Sequence, residues 1–199
     1  MLTFPSLCLS LSVCLSVCVF AFRSLFPCPS STHRYTHTHA PIHIYVYLPY
    51  SFADTLSVAY NHIEGTIPVD LALIKTLSSI RLSVNFLRGI IPEQLAALTG
   101  LRNLELDFND LTGNFPVALA SLPHLEHLGL WDNKLRGSLP TEIGNFANMR
   151  ELKIHANGFT GTVPSEIGNL STLTVLNLAR NDFQGSVPTE CGKLKKLSK

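Results

Sequence analysis

The chain has 199 residues, which is enough for one sizeable domain preceded by a leader. Its formal net charge is only +1 and 15% of its residues are charged, so the composition argues against a nucleic-acid partner. Of its 5 cysteines only Cys191 lies beyond residue 30, which excludes a disulfide framework for the larger part of the chain.

Residues 1–22 form a hydrophobic leader. No charged side chain occurs from Leu2 to Phe22, and a stretch of this length can span a bilayer core of about 30 Å. Three interpretations stay open: a signal peptide cut after Ala21, a signal anchor that gives membrane association through residues 2–22, or mistranslated upstream sequence. The first two predict a secreted or membrane-associated protein, and the third predicts a cytoplasmic one.

Residues 23–50 are predicted to form a disordered, low-complexity linker. The alternations YTHTH (residues 35–39) and IHIYVY (residues 42–47) are what translated dinucleotide repeats would encode. Four histidines fall in this segment, and histidines in low-complexity sequence need no ligand to explain them. We therefore predict no metal site.

A 24-residue period organises residues 51–199. Six asparagines keep this spacing, and each is followed by a glycine four residues later and by a proline seven residues later. The asparagines are Asn61, Asn85, Asn109, Asn133, Asn157 and Asn181. A period held by three residue types predicts one supersecondary unit that is stacked about six times.

Apolar residues recur at fixed places in each repeat. With the asparagine as position zero, they occupy −5, −3, +2, +6, +10, +13 and +16, and Cys191 takes the core position +10 in the last copy. The alternation at −5 and −3 predicts a short strand, and the proline at +7 predicts the start of a short helical or 3₁₀ segment. The asparagine amide is expected to bond backbone groups of its own and the neighbouring coil.

The pattern LxxLxLxxNxLxGxIPxxLGxLxxL resembles the plant-type leucine-rich repeat, and residues 125–148 and 149–172 carry it almost intact. The resemblance implies an α/β solenoid, a right-handed superhelix with a parallel concave β-sheet and short 3₁₀ or helical convex segments. It also implies a further sheet or bulge in the LxGxIP segment. The ectodomains of leucine-rich repeat receptor-like proteins are recognition modules, which makes a protein or peptide the expected partner.

The repeats depart from the family pattern in three places. No cysteine-bearing caps are visible, the first copy continues irregularly as DLALIKTLSSI, and the last copy stops at KLKKLSK. The alternative interpretation is therefore a truncated or structural fragment of a larger receptor-like surface protein, without binding activity of its own.

Positions −6, −4 and −2 are predicted to face outward on the concave sheet. Trp131 is the only tryptophan and is expected to be exposed there, beside a depression left by Gly129. The competing interpretation is that Trp131 lies flat over its neighbours and shields the sheet. The charged and aromatic side chains of this face form the candidate ligand-binding set: Arg81, Glu105, Asp107, His127, Trp131, Lys153 and His155.

We predict a non-enzymatic module without a cofactor. Ser83 and His155 share the concave face with Asp107, but they are three coils apart, roughly 14 Å at the usual strand spacing. No nucleophile elbow, phosphate loop or zinc spacing occurs. One N-glycosylation sequon begins at Asn169, on the part of the coil predicted to be convex, and the oligomeric state is left open.

Overall fold

A computed structural model of the chain describes residues 54–198. The predictions for the leader (residues 1–22) and for the linker (residues 23–50) lie outside these residues. Within them the chain makes six similar coils, each consisting of a strand, a turn, a second strand and a 3₁₀ helix. The predicted solenoid is confirmed.

The first strand of every coil lies in one sheet, which we call the concave sheet. Its members are β1 (Thr55–Ser57), β3 (Ser79–Arg81), β5 (Asn103–Glu105), β7 (His127–Gly129), β9 (Glu151–Lys153) and β11 (Val175–Asn177). They pair in parallel and in this order, so that Ile80, Leu104 and Leu128 stand opposite one another. Register therefore follows the sequence period.

The second strands form a separate parallel sheet, in agreement with the resemblance. They are β2 (Glu64–Gly65), β4 (Phe86–Gly89), β6 (Asp110–Gly113), β8 (Lys134–Ser138), β10 (Gly158–Gly161) and β12 (Asp182–Phe183). The glycine at +4 belongs to this region, and its φ is positive in all six coils, between 75° and 98°. A side chain would be strained there, which explains why glycine keeps the period.

The convex side is made of 3₁₀ helices, and residues 54–198 contain no α-helix. The helices are η1 (Val69–Leu73), η2 (Glu93–Ala97), η3 (Val117–Ser121), η4 (Thr141–Asn145), η5 (Ser165–Asn169) and η6 (Thr189–Lys193). Each follows the repeat proline at its N-cap, which fixes φ and needs no hydrogen-bond acceptor. No helix in this part of the chain has the length and apolar character needed to cross a bilayer.

The core lies between the two sheets and the 3₁₀ helices. The apolar repeat positions point into it, and Leu104, Leu119 and Leu152 are fully buried. The first copy, irregular in sequence, still forms a regular coil with Leu71 and Leu77 in the core. Because no single coil buries these side chains alone, the fold depends on contact between neighbours.

The repeat asparagines join successive coils. Asn133 Nδ2 donates to the carbonyls of Leu106 and Leu130, and its Oδ1 accepts from the Leu111 N–H, each at 3.0 Å. Asn85, Asn109, Asn157 and Asn181 repeat this arrangement. Asn61 donates only to carbonyls of its own coil.

The expectation for Cys191 is wrong. Its thiol is half-buried and free, because among the described residues no further coil covers that side of η6. Burial and the nearby Glu190 carboxylate raise the pKa of the thiol, so it is less reactive than an exposed cysteine.

Candidate ligand-binding surface

The concave sheet brings the predicted residues into adjacent columns. Arg81, Glu105, Gly129 and Lys153 stand opposite one another on β3, β5, β7 and β9. The second column follows the strand ends and runs from Asp107 through Trp131 to His155. Since parallel strands lie about 4.8 Å apart, the side chains form a continuous surface.

Trp131 is half-buried, in contrast to the exposed indole expected from the sequence. Its ring stacks on the His155 imidazole, with ring centroids 4.7 Å apart and an interplanar angle of 12°. Phe108 packs edge-on against it at 4.1 Å and 64°. The indole is thus held between two neighbouring coils, which fixes its orientation.

His155 takes part in this stack as a neutral ring. Burial lowers its pKa below the usual range, and the positive charges of Arg180 and Lys153 add to the effect, against the opposing charges of Asp132 and Asp107. Its Nδ1 is buried and has no hydrogen-bond partner. Burial and the neighbouring positive charges therefore favour the neutral imidazole in this stack.

A depression of about 180 Å³ opens next to Trp131. It is lined by Glu105, Asp107, His127, Leu128, Gly129, Trp131, Glu151 and Lys153. The missing side chain at Gly129 makes room for the Asp107 carboxylate, since a Cβ at this position would lie 2.5 Å from Asp107 Oδ1. Six of the seven predicted site residues therefore line the depression or stack on its wall.

Two ion pairs hold carboxylates that line the depression. Arg81 Nε lies 3.5 Å from Glu105 Oε1, and Lys153 Nζ lies 2.5 Å from Glu151 Oε2. The hydrogen bond from Lys153 holds the pKa of Glu151 below its usual range. The seventh predicted residue, Arg81, thus acts on the depression through Glu105.

Asp107 differs from Glu105 and Glu151, the other two carboxylates of the depression, in its ionic contacts. It makes no ion pair with any residue among 54–198. Burial raises its pKa, the Ser83 hydroxyl lowers it, and the Glu105 charge raises it again. The Ser83 hydroxyl lies near enough to act on this carboxyl, but it meets the geometry of a hydrogen bond with no described group.

An apolar area that the sequence reasoning missed lies beside the first coils. Tyr60 and Phe86 are 81% and 51% exposed and border a shallow hollow of about 290 Å³ with His62 and Val84. Phe108 continues this area toward Trp131. Tyr60, Val84 and Phe108 each stand immediately before a repeat asparagine. The residue at this position has a positive φ in every coil, between 53° and 60°.

The remaining candidate groups of the sequence concern metal binding, catalysis and glycosylation. No cluster of three or more histidine, cysteine, aspartate or glutamate side chains among residues 54–198 could hold a metal ion. Ser83 follows β3 and His155 follows β9, which are three coils apart. The two side chains considered as a catalytic pair from the sequence are therefore not in contact. Asn169 is exposed at the end of η5 on the convex side.

Comparison with known proteins gives one consistent group. The family model for leucine rich repeats matches residues 75–135, and a second leucine rich repeat model matches residues 148–170 and 172–194. A search of the curated proteins gave no match.

Three solved structures illustrate the similarity. The ectodomain of the Arabidopsis thaliana membrane receptor kinase GASSHO1/SCHENGEN3, in complex with CASPARIAN STRIP INTEGRITY FACTOR 2, is 37% identical over 69% of this chain and 17% of that one, with a TM-score of 0.68. The Arabidopsis receptor kinase HAESA, in complex with the peptide hormone IDA and the co-receptor SERK1, is 34% identical. The match covers 71% of this chain and 24% of that one, with a TM-score of 0.70.

A chain of the BIR3–SERK2 complex from Arabidopsis thaliana is 33% identical, with a TM-score of 0.60, and the match covers 69% of this chain and 72% of that one. By contrast, the chain spans only about a fifth of the length of the larger receptor ectodomains.

Proposed function

Because this chain belongs to the leucine-rich repeat family, we propose that it is a non-enzymatic recognition module that binds a protein or peptide on its concave sheet. The surface around Trp131 is the proposed binding site. The observation that carries the proposal is the depression beside Trp131, where charged groups and an oriented aromatic ring converge in a concave place. Similar chains were solved with a peptide hormone bound, which supports a peptide as the ligand class.

The composition of this surface suits an interface. Trp131, of a residue type enriched in interface cores, lies at the depression together with groups of the ion pairs Arg81–Glu105 and Lys153–Glu151. Exposed pairs of this type contribute little to stability, so their arrangement is available for selecting a partner.

The proposal is tested by selecting peptides from a random display library on the full 199-residue chain. We expect enriched peptides whose binding changes the fluorescence of Trp131, the single tryptophan. The substitution Trp131→Ala should weaken binding at least about tenfold, or ~1.4 kcal/mol. Glu142→Ala, on the convex helix η4, is the matched control and should bind as the wild type does.

Two results would count against the proposal. One is a library that gives no enriched peptide, which would favour the reading of the chain as a structural piece of a larger protein. The other is equal weakening by Trp131→Ala and Glu142→Ala, because a concave site predicts that only the first matters. Circular dichroism melts of both variants show whether each remains folded.

Asn169 reports on the compartment in which the repeats reside. If the full chain enters the secretory pathway, as we propose, expression in a eukaryotic cell should attach a glycan at this exposed side chain. The expected result is a mass shift that an N-glycosidase removes and that Asn169→Gln abolishes. A chain that stays unmodified in cells that glycosylate a control protein would support the cytoplasmic alternative.

A further inference from the structure

We propose that the depression at Gly129 receives one lysine or arginine side chain of the bound peptide, with Asp107 as its counter-ion. This inference rests on the proposed function, because it specifies the ligand of the same surface. It concerns the charge of a single group and leaves the rest of the peptide undefined.

The size of the depression fits one side chain. Its volume of about 180 Å³ is smaller than the pockets that hold drug-sized ligands, roughly 300–1,000 Å³. The Trp131 indole provides an apolar wall beside the carboxylates. Lysine and arginine place a hydrocarbon stem along such a wall while the charged end meets polar groups.

The charge of the depression favours a cation. Three carboxylates line it, from Glu105, Asp107 and Glu151, against the single ammonium of Lys153. Lys153 is already engaged by Glu151, so it is not available to a ligand anion without breaking that pair. An anionic group would also approach the unpaired Asp107 carboxylate, which like-charge repulsion disfavours.

Asp107 is the group that a cation would complement. Glu105 is held by Arg81 and by Asn103 Nδ2 at 2.9 Å, and Glu151 is held by Lys153, whereas Asp107 has no ion-pair partner among the described residues. Burial has the largest effect on the pKa of Asp107 and raises it, whereas the Ser83 hydroxyl and a backbone N–H lower it.

Ser83 supplies a second, independent observation. Its side chain is only 5% exposed and its hydroxyl lacks a hydrogen-bond partner. Ser83 stands opposite Asp107 on the neighbouring coil, as the bond from the Val84 N–H to the Asp107 carbonyl shows. The half-buried Asp107 carboxylate, which lines the depression, therefore has neither an ion pair nor a well-aligned hydrogen bond from Ser83, and a ligand that donates hydrogen bonds to it can supply both.

The proposal predicts a pH dependence with a defined sign. Burial places the pKa of Asp107 above the usual range, and a cation binds the ionised form, so affinity should be full at neutral pH and decline as pH falls through this raised pKa. In the folded protein the ionised carboxylate is disfavoured relative to the unfolded chain. Asp107→Asn should therefore leave thermal stability at neutral pH equal or higher, while it removes both the binding and its pH dependence.

The experiment uses two variants and one control in the full chain. Gly129→Ala places a Cβ 2.5 Å from Asp107 Oδ1, so that the carboxylate must move, in a strand position where alanine is allowed. Asp107→Asn removes the charge and keeps the shape. Gly100→Ala is the matched control, because its Cβ would meet only the Leu77 carbonyl at 3.8 Å.

The probes are the peptides selected on the wild-type chain, together with versions in which arginine is replaced by citrulline and lysine by norleucine. We expect a basic residue in the selected peptides, and a loss of at least about tenfold in affinity for the neutral versions, for Gly129→Ala and for Asp107→Asn. The Gly100→Ala variant should bind normally.

Failure of this inference is distinguishable from failure of the proposed function. If peptides bind on the concave sheet but need no basic residue, or bind Gly129→Ala and Asp107→Asn as well as the wild type, the inference is overturned and the proposed function stands. If no peptide binds at all, both are overturned.

Discussion

Replacing Asn133 by alanine is expected to lower the free energy of unfolding by about 1–3 kcal/mol. The amide donates to the Leu106 and Leu130 carbonyls of two coils and accepts from the Leu111 N–H, each at 3.0 Å, and it makes a longer bond of 3.4 Å to the Trp131 carbonyl. Alanine cannot make any of them, and the backbone groups involved are shielded from water. The measurement is a urea or thermal unfolding curve followed by circular dichroism.

The matched control for this prediction is Asn61→Ala. Asn61 occupies the same repeat position, but its amide bonds only Val58 and Ala59 of its own coil. If the bonds between coils carry the effect, this variant should lose clearly less stability than Asn133→Ala. Equal losses would show that the asparagine acts within its own turn, and an unchanged melt for Asn133→Ala would refute the role altogether.

The period alone predicts most of the fold, because one unit repeated in register leaves few choices. Asparagine, glycine at +4 and proline at +7 each require a particular backbone, and the structure places a hydrogen-bonded turn, a positive φ and a 3₁₀ start at these positions. Alternation at −5 and −3 separates the buried leucines from outward side chains. The concave columns follow from that alternation and the 24-residue register.

The candidate site was predictable only in part, because a period gives register without giving side-chain packing. Position −2 predicts Trp131 on the concave face, but the exposure of its indole depends on Phe108 and His155, which contact it from neighbouring coils. Phe108 sits at the position before the asparagine, where a non-glycine residue with positive φ is uncommon. No residue type in that column is constant, so the sequence contains no signal for this conformation.

The coupling between Gly129 and Asp107 illustrates the same limit. A missing side chain at Gly129 was enough to predict a depression, but the carboxylate that lies 2.5 Å from the absent Cβ belongs to another coil. Which of three nearby carboxylates lacks a partner depends on the reach of Arg81 and Lys153. That information exists only after the coils are stacked.

Replacing Gly168 by alanine is expected to destabilise the solenoid by about 1–3 kcal/mol through overpacking. Gly168 lies on η5, and a Cβ there would be 2.5 Å from the Glu190 carbonyl oxygen and 2.8 Å from its carbonyl carbon. These are backbone atoms of η6, so relief requires the two coils to move apart. In the first and third coils the same position holds Ala72 and Ala120, both buried, which indicates that separation between convex helices differs along the stack.

Gly192→Ala is the control that isolates this contact. Gly192 has the same repeat position on η6, and a Cβ there would meet no described atom within 4 Å. Alanine restricts the unfolded chain more than glycine does, so this variant should be neutral or more stable by up to about 1 kcal/mol. Opposite signs in the two changes of unfolding free energy, each relative to the wild type, would show that packing between convex helices limits the side chain allowed at Gly168. A melt of Gly168→Ala that matches Gly192→Ala would mean that η5 and η6 can separate at little cost.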